Sequence, residues 1–470
     1  MAGDRDPEPV AGLKALLESG IAAVDAGLAV GRTLVHDGDR LAIGNRLLEV
    51  GTGVFILAIG KAAAAMARAA EARVGADLRG GLVITKDGHA AAHPTRLACL
   101  ESGHPVPDAR SARAGQAALA LAAEVPAEDL LLVLLSGGGS ALTTTPVAGL
   151  GLDDLAATTR ALLGSGVDIE ALNTVRKHVS AIAGGKLARA RGPGRIEVLC
   201  ISDVVGDPID VIASGPCAQD TTRARDALEI VERVSATAPA GRVPEAVLEH
   251  LREATARQDR QAEAEGDGGA GRARADGVAD DAIADNVIAH HVIARNADAR
   301  AAIARAAGVR GLRAIDLGEV LRGEARVMAN RLVALARSIE LDAPVLLIAG
   351  GETVVTLRGD GTGGRSQELA LAAAVALASR SGEPARPPVT LLAAGTDGSD
   401  GPTDAAGACA DESTCARAAA LGLDPAGALA RNDAHGFFAR AGGLIRTGPT
   451  GTNVMDLVLI QIGRAAAGPS

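Results

Sequence analysis

The chain has 470 residues, of which 48% are apolar and 22% charged, and it carries a net charge of −10 with three Phe, no Tyr and no Trp. The length points to about two to three domains, and the composition to a soluble globular protein with a sizeable core. The acidic balance repels phosphate backbones and anionic lipid, and the scarcity of aromatics removes base stacking, so neither nucleic acid nor membrane is expected as a partner. No run reaches the roughly 18 apolar residues that span a bilayer. The stretch from Met1 to Pro9 is polar, without the apolar core of a secretory signal. Five cysteines without a CxxC pair argue against disulfides or zinc and for a reducing cytoplasm. Five of the 47 basic residues are Lys, and three of those, Lys61, Lys177 and Lys186, lie in or near glycine-marked turns.

In chain order, residues 11–35 read as an amphipathic helix or helix pair. Val54 to Ile59 is a short continuous apolar run, followed by Gly60-Lys61 and an Ala-rich helix to about Arg73. Gly81 to Thr85 reads as a strand, 109–124 as a helix, 129–135 as a buried strand ending in Ser136-Gly137-Gly138-Gly139-Ser140, and 196–201 as another strand ending in Ser202-Asp203. Near-continuous apolar strands alternating with helices predict a parallel sheet covered on both faces. Residues 256–285, poor in large apolar side chains, read as a flexible insertion or linker between residues 10–255 and a second α/β unit over 286–465. That unit has predicted helices at 297–307 and 323–338, and strands at 312–316, 344–349, 389–394 and 455–460. The alternation from Glu352 to Arg358 predicts a half-exposed strand.

Polar, glycine-rich loops follow several of these strands. Ser136 to Ser140 can aim backbone N–H groups into one concavity, which suits a phosphate or carboxylate. Three consecutive glycines carry a high folding entropy, and a close ligand approach explains them. Gly60-Lys61 would place an ammonium over the carboxyl end of the sheet, although GxxxxGK[ST] is absent. Asp203 and Asp207, four residues apart, suit Mg²⁺, which takes one or two carboxylates plus phosphate oxygens. Gly359 to Gly364 matches GxGxxG, leaving a dinucleotide fold as a rival. An alternating strand before it, and Asp360 where a pyrophosphate would pass, favour instead a mobile loop presenting Arg365 to an anion. Loops at Gly350-Gly351-Glu352, at 395–404 around Asp397 and at 447–453 complete the set, and their recurrence at strand ends favours one shared site. No HExxH occurs, and no zinc centre is expected.

The motifs at 135–142, 172–178, 202–208, 350–353, 395–398 and 447–457 together resemble the glycerate 2-kinase family, whose C-terminal part is called the MOFRL domain. The resemblance runs over roughly 10–255 and 286–460, with several motifs in the same order. It implies an α/β protein of two domains, Rossmann-like with a parallel sheet at the N-terminus and a second α/β domain at the C-terminus, with the site in the cleft. It also implies ATP-dependent phosphorylation of D-glycerate to 2-phosphoglycerate. The family's catalytic Lys falls on Lys61 and its catalytic Arg on Arg365. Ser366 stands where the family usually has Asn, and His435 where an aromatic is common. On this reading ATP phosphates lie on Ser136, Gly137, Gly138, Gly139 and Ser140 with Lys61. Glu352 and Asp397 join the nucleotide site, and Asp203 or Asp207 holds Mg²⁺. Arg365 stabilises the transferring group or clamps the glycerate carboxylate, and Asp203 or Asp397 accepts the hydroxyl proton. Two rivals are an NAD(P)H-dependent hydroxypyruvate reductase, a label some members carry, and an anion-binding regulator without activity. Monomer and homodimer stay open.

Overall fold

A computed structural model of the chain describes residues 8–38, 40–90, 96–104, 106–237, 243–264, 286–340, 343–379 and 387–463. It divides into two compact units, one of Ala26–Ile201 with Gly206–Ile293, the other of Met1–Asp25, Ser202–Val205 and Ala294–Ser470. Each is built on a six-stranded sheet, and they are named here, by strand direction, the parallel unit and the mixed unit.

In the parallel unit a small antiparallel sheet, β1 Leu34–Asp37, β2 Arg40–Ile43 and β3 Arg46–Leu47, precedes the main one. The main sheet comprises β4 Val54–Ile59, β5 Leu78–Lys86, β6 Ala98–Ser102, β7 Leu130–Leu135, β8 Gly194–Ile201 and β9 Asn286–Ala294, in the order β6-β5-β4-β7-β8-β9. The pairings among β4 to β8 are parallel. Every residue of β7 is buried, as is all of β4 except Phe55, which is why these strands read as unbroken apolar runs. The helices Ala63–Val74 and Ala109–Glu124 lie against this sheet. From β4 the chain steps outward through β5 to β6, then returns to the far side of β4 for β7 and β8. The loops after β4 and β7 therefore leave neighbouring strands in opposite directions, the place where open α/β sheets bind ligands.

The mixed unit holds β10 Arg313–Asp316, β11 Val345–Gly351, β12 Val389–Gly395, β13 Gly407–Asp411, β14 Leu444–Ile445 and β15 Asp456–Ile462, in the order β10-β11-β15-β12-β13-β14. β10 and β11 are parallel, and the other pairings are antiparallel. The last strand, β15, is central and wholly buried. The helix Arg365–Ala378 packs on β12 and β13, its alanines allowing the close approach, and its residues from Ser366 to Ala374 are all buried.

The structure corrects three sequence-based boundaries. The helix Glu8–Ala23 belongs to the mixed unit, because Leu13, Leu16 and Leu17 are buried and the helix packs on Asn296–Val309. Gly20 permits this contact: a Cβ there would stand 2.7 Å from the Ile303 Cδ1. β9, expected to open the second unit, completes the first sheet instead, and its His291 Nε2 lies 2.9 Å from the buried Glu197 Oε2 of β8. Of the expected flexible stretch, residues 256–264 continue the helix Glu245–Ala264, anchored by buried Val247 and Leu251, while 265–285 lie outside the described residues. The expected strand at 352–358 is not one either. It makes a single bridge, Val354 to Glu324, and the Glu324 and Asn432 side chains take the amides of Thr356 and Arg358.

Candidate active site

The glycine loop of the parallel unit is bound to Lys61 through its backbone. Lys61 N donates to Gly137 O at 2.9 Å, Ser136 N to Ile59 O at 3.0 Å, and Ala62 N to Ser136 Oγ at 3.0 Å. The ends of β4 and β7 are thereby joined, and the loop, Lys61 and Ser136 are held as one piece. A Cβ on Gly60 would stand 2.2 Å from Ser136 Oγ, one on Gly138 3.0 Å from His104 Nε2 and 3.3 Å from Lys61 Cγ, and one on Gly139 2.8 Å from the Ala213 Cβ. The chain's own neighbours thus crowd Gly60, Gly138 and Gly139 as a tight strand–helix turn would, where the sequence reading favoured close ligand approach. Ser140 Oγ and Ser214 Oγ share a hydrogen bond of 2.7 Å. The turn carrying Ser214 is strained, since Ala213, Ser214 and Gly215 all have left-handed backbones (φ 51°, 61° and 57°). Asp207, in the same unit, is left-handed too (φ 55°).

In the mixed unit Arg365 opens the helix Arg365–Ala378. Its Nε and Nη2 donate to Asp456 Oδ2 and Oδ1 at 2.5 and 2.9 Å, and its Nη1 lies 2.7 Å from Glu352 Oε1. Burial works against this charge, but Asp456, Glu352 and Asp400 outweigh it and hold the guanidinium pKa above its ordinary value. Asp397 Oδ1 accepts from Ser399 N at 2.9 Å. Asp397 and Asp456 flank Gly395, each with Oδ1 3.4 Å from the position of a Cβ there. Asp203 Oδ2 accepts from Asn453 Nδ2 at 3.3 Å. Of the expected site residues, the mixed unit holds Asp203, Glu352, Arg365 and Asp397, and the parallel unit holds Lys61, Ser136 to Ser140 and Asp207.

The loop before Arg365, expected to be mobile, is packed against Arg431 and Asp400. Gly361 N donates to Arg431 O at 2.9 Å, Cβ atoms on Gly359 and Gly361 would meet Arg431 at 2.7 and 2.5 Å, and one on Gly364 would meet Asp400 at 2.3 Å. Asp400 also takes the first helix amides, Ser366 N at 3.0 Å and Gln367 N at 2.8 Å. The amides that would cradle a pyrophosphate in a dinucleotide fold are therefore already bonded. Burial is the main cause pushing the Asp400 carboxyl up to about 7, opposed by the Gln367 amide and reinforced by Asp456.

The motif at 172–178 ends in a buried polar network. Lys177, 3% exposed, donates to Asp210 Oδ2 at 3.0 Å and lies 3.5 Å from Asp220 Oδ1. Beside it, burial above all pulls the His178 imidazole from 6.5 down to about 4, against the opposing pull of Asp220. A lowered pKa favours the folded state at high pH. This stability is present above pH 6.5 and is lost as pH falls through about 4, by up to about 3 kcal/mol. Urea midpoints of the wild type and His178→Gln between pH 7.5 and 4 should diverge accordingly, with the wild type falling more steeply.

The N-terminal residues 12–252 match the model of a domain of unknown function (DUF4147), and residues 345–456 match the MOFRL family. A D-glycerate 2-kinase of Thermotoga maritima is 38% identical over 411 residues, 86% of this chain and 90% of that protein. A protein of Agrobacterium vitis named as a hydroxypyruvate reductase is 37% identical over 90% of this chain and 91% of its own. The crystal structure of a Thermotoga maritima glycerate kinase superimposes with a TM-score of 0.76 at 34% identity, covering 97% of this chain and all of that one.

The chain belongs to the glycerate 2-kinase family. Within the family motif at 447–457, sequence reasoning passed over Asp456, the acid that orients Arg365. Its signal was a carboxylate opening a strand that is apolar from Leu457 to Ile460. Asp400, hidden in the polar turn at 395–404, and His104 beside Gly138 were missed as well, and no local pattern marks either.

Proposed function

We propose that the chain transfers the γ-phosphoryl group of ATP to the 2-hydroxyl of D-glycerate, giving 2-phosphoglycerate and ADP. The observation that carries this reading is the backbone bond from Lys61 to the Gly137 carbonyl, at the carboxyl ends of the paired strands β4 and β7. It supports an ammonium held beside a glycine-rich phosphate loop. Phosphoryl transfer is mostly positioning and neutralisation of spread negative charge, and a fixed Lys at such a loop supplies both.

Arg365 is the second cation. Asp456, with a side chain 4% exposed, fixes the guanidinium plane, whereas Glu352, 45% exposed, meets it at Nη1. An incoming oxyanion can replace Glu352 at Nη1 without disturbing the Asp456 fork. Asp203 or Asp397 takes the hydroxyl proton. Among the described residues no group of three or more His, Cys, Asp or Glu could hold a metal. Mg²⁺ takes one or two carboxylates together with phosphate oxygens, and Asp203 and Asp207 are the candidate ligands. When bound, Mg²⁺ would neutralise charge on the phosphates.

Coupled assay of ADP release tests the reading. Turnover that requires D-glycerate, ATP and Mg²⁺ together is expected. Oxidation of NADH or NADPH by hydroxypyruvate, without ATP-dependent turnover of glycerate, would favour the reductase instead.

A further inference from the structure

The helix Ile169–Val179 buries Leu172, Val175 and Val179 in a core shared with the helices Leu152–Gly164, Ala224–Thr237 and Glu245–Ala264. A second stripe of the same helix is polar: Asn173, then Arg176 and Lys177 three and four residues on. Lys177 is paired with Asp210 and Asp220. The other two are not so placed. Asn173 is 9% exposed and Arg176 is half-buried, yet neither side chain makes a hydrogen bond or ion pair among the described residues. Burial pulls the Arg176 pKa below its ordinary value, and no carboxylate opposes it. A desolvated guanidinium without a counter-charge destabilises a fold, so its presence calls for a different reason.

The position of the helix supplies one. The helix Ile169–Val179 packs on the strained turn Ile212–Ser214, and so does the single helical turn Gly139–Leu142 that ends the glycine loop. Ser214 of that turn is hydrogen-bonded to Ser140 of the loop.

We propose that Asn173 and Arg176 form an oxyanion-holding pair serving the glycine-loop site, which takes the carboxylate or a phosphate group of a reactant. The Arg176 fork can bind two oxygens, and the Asn173 amide adds a donor one turn away. The proposal rests on the kinase reading and adds to it two binding residues on the parallel unit.

The test uses the full chain as wild type, Arg176→Met, Arg176→Lys and Asn173→Ala. KM for D-glycerate and for ATP, calorimetric Kd for each, and Tm are measured. Arg176→Met should raise one KM at least tenfold with a smaller change in kcat, and should leave Tm equal or higher. Arg176→Lys should recover part of the binding. A rise confined to D-glycerate assigns the pair to the carboxylate, and a rise confined to ATP assigns it to phosphate. Unchanged KM and Kd for both reactants in Arg176→Met overturn the proposal, and a lower Tm in that case assigns Arg176 to the fold. Absence of turnover in the wild type would defeat the kinase reading alone. The calorimetric arm still decides the pair, since weakened binding of D-glycerate or ATP in Arg176→Met upholds it and equal or absent binding ends it.

Discussion

Lys61→Ala is expected to lower kcat by roughly 10²- to 10³-fold, the scale of removing one preorganised charge from a developing anion. Stability should change by only about 0.5 kcal/mol. The reason lies in how the loop is held. The bond that joins β4 to the glycine loop is made by the Lys61 backbone N–H, which alanine keeps, and Ala62 N still reaches Ser136 Oγ. The variant therefore removes an ammonium and leaves the cradle. Lys61→Arg should restore little, because Gly138 lies against the Lys61 stem and a planar fork does not take the place of a compact charge there. Steady-state kinetics with D-glycerate and ATP, alongside thermal unfolding, separate the two effects. Turnover near wild type in Lys61→Ala would reject the role assigned to this residue.

Arg365→Ala should lose activity on a similar scale and, unlike Lys61→Ala, should also weaken the fold. It strips the nearly buried Asp456 of both its guanidinium bonds and leaves Asp400, itself buried beside Asp456, without the opposing charge. Removing one member of a buried pair is far more harmful than never having built it, and an effect of about 2–4 kcal/mol is expected once the half-exposed end of Arg365 is allowed for. Arg365→Lys keeps a charge but loses the fork. It should recover part of the stability and little of kcat. Urea unfolding of both variants, followed with kcat, checks this. An Arg365→Ala protein as stable as the wild type would show that Asp456 does not depend on the pairing.

The two loops of the parallel unit were legible because their signal is local. Unbroken apolar runs at β4 and β7 mark buried parallel strands, and the residues just past each run must sit at the carboxyl edge of the sheet. What the sequence did not reveal depends on partners distant along the chain. The helix Glu8–Ala23 has an apolar face like any amphipathic helix, and only the shape of Asn296–Val309 and the missing side chain at Gly20 decide which unit receives it. The alternation at 352–358 meets the pattern of a strand, but among the described residues it pairs only through the bridge of Val354 to Glu324. The glycines from Gly359 to Gly364 signal close approach correctly without saying to what, and here the partners are Arg431, Asp433, Ala434 and Asp400. Asp456 illustrates the same limit. Its motif was noticed, but the assignment of that carboxylate to Arg365, 91 residues earlier, is a property of the folded sheet.

Identification of the product formed from D-glycerate, ATP and Mg²⁺ by the purified full-length chain, using phosphorus NMR against both monophosphate standards, bears most directly on the proposed reaction. A single phosphoglycerate resonance matching the 2-isomer, formed in step with ADP, is the expected result. A 3-phosphoglycerate signal, or ATP left intact while hydroxypyruvate is reduced at the expense of NADH or NADPH, would contradict it.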